Sequence, residues 1–104
     1  MDKKYLSREI RRMILEILHE ARKAALTESG GYLNHLMLQE LMSVQGYDLS
    51  TEDLKDYCIY LFDNEIGCID MVKLGKTPPY VYKYRITAKG VRVLEGDEII
   101  KGIR

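Results

Sequence analysis

Apolar residues recur at helical spacing through the first quarter of the chain: Ile10, Met13, Ile14, Ile17, Leu18, Ala21 and Ala25. Arg8, Arg11, Arg12, Glu16, Glu20 and Lys23 fill the other face, so the spacing predicts a helix from about Arg8 to Ala25. Ser7 is placed to cap it, with Tyr5 and Leu6 ahead as a staple. Glu28-Ser29-Gly30-Gly31 then breaks the pattern. Tyr32-Leu33 reads as a very short extended piece, and Asn34 as the cap of a second helix carrying Leu36, Met37, Leu41 and Met42. Gly46 suits the left-handed position just past its end.

Tyr47-Asp48-Leu49 makes a tight connection. Ser50 then caps a third helix, and Glu52 and Asp53 sit in the first turn where the helix dipole favours acids. Its apolar stripe is Leu54, Cys58, Leu61 and Phe62, with Tyr57 at the margin; Asn64 or Gly67 ends it. A hairpin follows. Cys68 to Leu74 is one strand, Gly75-Lys76-Thr77-Pro78-Pro79 cannot be helix, and Tyr80 to Ile86 is the second strand. The second strand alternates, placing Tyr80, Tyr82, Tyr84 and Ile86 on one face and Val81, Lys83 and Arg85 on the other. Thr87 caps a last helix, Ala88 to Leu94, stopped by Gly96. There is no internal repeat, linker or low-complexity tract.

Two short helices joined by a tight turn and followed by a hairpin define the winged helix-turn-helix arrangement. The expected class is therefore α+β, mostly α: a three-helix core, a two- to three-stranded β-wing with Tyr32-Leu33 on its edge, and a short C-terminal helix. At 104 residues the chain suits one domain, with a core over 8–96 and a tail over 97–104. Tyr84-Arg85-Ile86-Thr87-Ala88-Lys89-Gly90 resembles the strand-Thr-x-x-Gly-helix junction after the wing of many winged-helix regulators, where the glycine lets the helix pack closely.

A narrower resemblance rests on three stretches. They are Tyr32-Leu33-Asn34 with Leu38-Gln39 and Gly46; Leu49-Ser50 leading to Leu61 and Gly67; and Thr87-Ala88-Lys89-Gly90 running to Gly96 and Gly102-Ile103-Arg104. Over roughly residues 8–104 these resemble a small family of proteins of about a hundred residues encoded by Mu-like phages and prophages. The resemblance implies a winged helix with a DNA-binding or regulatory role, and brings no catalytic or metal residues. This chain departs from it in an unusually acidic third helix and a wing loop lengthened by Pro78-Pro79.

Charge changes the picture more than composition does. The net charge is zero, but residues 1–25 carry seven basic and four acidic side chains, residues 26–67 one basic and eight acidic, and residues 68–104 eight basic and four acidic. Both ends are basic and the middle is acidic. Outward positions of the third helix are Thr51, Glu52, Lys55, Asp56, Ile59, Tyr60 and Asp63. A recognition helix usually presents donors to base edges and phosphates, and exposed acids oppose phosphate attraction. Double-stranded DNA is the expected partner all the same, with Lys73, Lys76, Lys83 and Arg85 on phosphates and Thr51 and Lys55 as groove contacts. Arg8, Arg11 and Arg12 either extend that footprint or pair with Glu9 and Glu16.

The alternative is a winged helix used for protein interaction or dimerisation. Ile59 and Tyr60, ringed by Glu52, Asp56 and Asp63, form an apolar pair on the acidic helix. Ile99, Ile100 and Ile103 also need a docking place, and a homodimer is expected to supply one. The three tyrosines of the second strand either pack on the helices or, if exposed, stack bases or join an interface.

No cofactor is indicated. Cys58, Cys68, His19 and His35 lack the close pairs of a structural zinc site, and the cysteines read as small buried apolar residues. The absence of a phosphate loop, a nucleophile elbow or a His-Glu-x-x-His motif argues against an enzyme. No apolar run resembles a signal peptide or a membrane span, which makes the cytoplasm the default.

Overall fold

The computed structural model describes residues 3–78 and 81–103, with side chains from residue 6 onward; Pro79, Tyr80 and Arg104 lie outside the described residues. The elements in chain order are α1 (Lys3–Lys23), a short 3-10 turn (Ser29–Gly31), β1 (Leu33–Asn34), α2 (His35–Val44), α3 (Thr51–Phe62), β2 (Ile69–Leu74), β3 (Val81–Ile86) and α4 (Ala88–Glu95). The class is α+β, mostly helical, with a three-stranded antiparallel sheet in the order β1-β3-β2. No described helix is long and apolar enough to cross a membrane.

The caps follow from the side chains at the helix starts. Asn34 accepts from the Met37 backbone, Ser50 from Asp53 and Thr87 from Gly90, so three helices begin where a short polar residue satisfies an otherwise orphaned N–H. Gly46 at φ 92° and Gly96 at φ 84° close α2 and α4 in the left-handed region. The first helix departs from expectation. It begins at Lys3, so Ser7 lies inside it and caps nothing; its hydroxyl meets the Tyr57 hydroxyl at 3.2 Å. Its end comes two residues early, with Ala25 at φ 58° and Leu26 donating back to the Ala21 carbonyl.

Ile10, Ile14, Leu15, Leu18, Leu38, Met42, Leu54, Cys58 and Leu61 form the helical side of the core. The sheet closes it with Leu33, Ile69, Tyr84 and Ile86. Register explains the choice: Leu33 and Met71 flank Tyr84 from opposite sides, and Ile69 opposes Ile86. Leu15 is buried although the predicted stripe omitted it, and Ala25 is exposed although the stripe included it. In α2 the inward face is His35, Leu38 and Met42, whereas Leu36 and Met37 face out. Phe62, expected on the α3 stripe, is 43% exposed because the core contacts of α3 end at Leu61.

Candidate functional site

Helix α3 presents an open face to solvent. Starting from Ser50, the helix turns Glu52, Asp56 and Ile59 to solvent, and Asp63 follows at its end. Ile59 is 47% exposed and Phe62, three residues on, is also open. Thus an apolar pair stands on an acidic face, but its second member is Phe62 and not Tyr60. Tyr60 is half-buried: the Arg11 guanidinium lies 4.0 Å over its ring and its hydroxyl donates to the Lys101 carbonyl at 3.3 Å.

That contact belongs to the docked tail. Arg11 donates to the Gly102 carbonyl at 3.1 Å, Ile103 is 1% exposed, and Ile100 packs on the core. The tail isoleucines therefore find their place within one chain, and their burial does not call for a second copy; only Ile99 stays open, at 78%. Arg11 is likewise committed to the tail, while Arg12 pairs with Glu16 at 3.4 Å.

The cations expected on DNA divide in two. Lys83 and Arg85 share a sheet face as their alternation requires, but both are half-buried and paired. Lys83 meets Glu28 at 2.7 Å. Arg85 meets Asp70 at 2.7 Å, donates to the Gly30 carbonyl and stacks over Tyr32; the Asp70 bond raises its already high pKa. Lys55 pairs with Glu52 at 3.5 Å and lies over Tyr82. Thr51 is exposed and reaches Gln39, whose amide donates to the Leu49 carbonyl and braces the α2–α3 turn. Lys73 and Lys76 are exposed, toward the far end of the hairpin.

Between the starts of α2 and α3 and strand β3 lies a cleft of about 570 Å³. Leu36, Val81 and Tyr82 supply its apolar walls, and the Lys55–Glu52 and Lys83–Glu28 pairs sit at its rim. His35 also lines it, 7% exposed. Its Nδ1 lies 2.6 Å from the Tyr84 hydroxyl. Its Nε2 is buried without a hydrogen-bond partner, and the nearby Thr51 backbone favours the charged ring. Burial dominates and pulls the His35 pKa below its ordinary value, while burial pushes the Tyr84 phenol and the Cys58 thiol up. All three are uncharged at neutral pH. The chain of groups was not legible as a unit. His35 directly after a capping Asn, in phase with Leu38 and Met42, was the available signal that it faces inward.

A pH dependence follows. The folded pKa of His35 lies below the unfolded value near 6.5, so the unfolded chain binds a proton first as pH falls. Stability is then unaffected by this group above about pH 7 and declines below 6.5, with a slope of at most about 1.4 kcal/mol per pH unit for one proton. Urea unfolding between pH 7 and 5 checks this: the slope is expected to be steeper in the native sequence than in His35→Gln.

The two cysteines are buried and unpaired by disulfide. Among the described residues no three His, Cys, Asp or Glu side chains are grouped to hold a metal. No family model, no curated protein and no solved structure matches this chain.

Proposed function

We propose that the chain is a winged-helix domain used for protein interaction, with α3 as the docking face. The observation that carries the reading is the exposed Ile59–Phe62 pair beside Asp56 and Asp63, on the helix that would have to enter a DNA groove. Four exposed acids on and just after α3 repel phosphate, and its one lysine is held by Glu52. An apolar anchor inside an acidic rim fits a partner that offers an apolar pocket edged by lysine or arginine.

The order helix-turn-helix-hairpin supports the winged-helix assignment, with β1 on the sheet edge and the Thr87–Gly90 junction leading into α4. The likeness to the small Mu-like phage proteins belongs to the same proposal and suggests a regulatory setting.

DNA binding through the hairpin is the second reading, favoured by the exposure of Lys73 and Lys76. Two phosphate contacts predict an affinity whose logarithm falls with the logarithm of salt at a slope of about −2.

Two titrations separate the readings. An amphipathic peptide with a leucine row flanked by lysines is expected to shift the amide resonances of Ile59 and Phe62, and Ile59→Asp is expected to weaken it by roughly tenfold or more, as loss of an interface anchor does. A labelled DNA duplex at low ionic strength is expected to show no saturable binding. Saturable DNA binding lost in Lys73→Ala/Lys76→Ala, with peptide binding indifferent to Ile59→Asp, would overturn the proposal in favour of the second reading.

A further inference from the structure

We infer that a second copy of this chain is a partner of the α3 face, with Ile59 and Phe62 of one copy docking on the hairpin end of the other at Leu74 and Val81. The inference rests on the reading of α3 as a docking face and names what binds there.

The hairpin end carries the complement of that face. Leu74 and Val81 oppose each other in the β2–β3 register, so their side chains stand side by side. Period two puts Val81 with Lys83 and Arg85 on the sheet face turned away from the core, where an antiparallel sheet ordinarily carries polar residues. Asp70, Lys83 and Arg85 follow that rule; Leu74 and Val81 break it, at 40% and 52% exposure. The setting of the pair is basic. Lys73 and Lys76 are exposed and bracket Leu74 along the chain, and no acidic residue occurs between Asp70 and Glu95.

The α3 side has the opposite sign. Ile59 and Phe62 are exposed and lie between Asp56 and Asp63 along the chain. The only lysine or arginine in residues 26–67 is Lys55, which Glu52 holds. Each copy therefore offers one apolar pair in an acidic setting and one in a basic setting, a match in both polarity and charge. With a net charge of zero, two copies approach without overall repulsion. The contact is heterologous, α3 of one copy on the hairpin of the next. An α3-to-α3 contact would instead set Asp56 and Asp63 against the same acids of the other copy.

Sedimentation equilibrium of the full-length chain between about 10 µM and 1 mM tests this. The weight-average mass is expected to rise with concentration above the 12.1 kDa of one chain. It is expected to rise less at about 0.5 M salt, where screening weakens the contacts between acids and lysines. Ile59→Asp and Leu74→Asp, both at exposed positions, are each expected to lose the rise. Mixing the two variants is expected to restore it as far as a pair, because the intact α3 of the Leu74→Asp chain still meets the intact hairpin of the Ile59→Asp chain. A chain that stays monomeric throughout, or a mixture that stays monomeric while the native sequence associates, would overturn the inference. The peptide titration separates the two possible failures. Peptide binding that depends on Ile59, in a chain that never self-associates, removes only the second copy as partner. Peptide binding indifferent to Ile59→Asp removes the docking face itself.

Discussion

Gly90→Ala is expected to destabilise the fold by about 3 kcal/mol or more, a large share of the total stability of a domain this size. A Cβ at this position would fall far inside van der Waals contact with the Cys68 carbonyl oxygen and 2.7 Å from Ile86 Cγ1. The first of these is backbone and has nowhere to go. Cys68 O already accepts from the Thr87 backbone at 3.0 Å, and the Thr87 hydroxyl bonds the Gly67 carbonyl at 2.7 Å while receiving Gly90 N–H at 3.1 Å. The start of α4 is thus bolted to the chain entering β2, and only a hydrogen atom fits between them. Equilibrium urea unfolding measures the effect. Gly46→Ala is the control, because it meets open space and carries only the left-handed backbone strain, of about 1 kcal/mol. A loss at Gly90 no larger than the control's would mean that α4 slides off the strand without penalty.

Ile103→Ala is expected to cost about 2 to 4 kcal/mol, the range for emptying a fully buried aliphatic site. Ile103 lies eight residues past the end of α4, yet it is as buried as the residues of α1. Its place is held by the chain itself, through Arg11 on the Gly102 carbonyl and Tyr60 on the Lys101 carbonyl. Ile99→Ala, at an exposed position of the same tail, is expected to change stability by less than about 0.5 kcal/mol. If the two variants unfold at the same urea concentration, the tail does not belong to the core.

Most elements were legible because most of their starts and stops rest on local chemistry. Asn34, Ser50, Thr87, Gly46 and Gly96 do in the structure what their side chains or their freedom at positive φ make them suited to do. The sheet face was legible too, since period two puts Tyr84 and Ile86 inside and Lys83 and Arg85 opposite. What failed was everything that depends on a partner distant in sequence. Ser7 resembles a cap, and nothing near it indicates that the helix has already begun. Lys83 and Arg85 read as open cations because Glu28 and Asp70 come to them from 55 and 15 residues away. Tyr60 and Ile103 read as interface residues for the same reason, their partners being each other's neighbourhood. The candidate cleft is the extreme case, since its walls come from three elements.

The buried thiols give the domain an internal clock. Cys58 and Cys68 are both 0% exposed, and burial raises both pKa values, so neither steric access nor thiolate is available in the native state. Alkylation must therefore wait for an opening event, and its rate counts openings rather than intrinsic reactivity. Cys58 sits mid-helix against Tyr84, whereas Cys68 sits where β2 begins beneath α4. The two sulfurs thus time different parts of one fold, the helical core and the sheet junction, without any label having to be introduced.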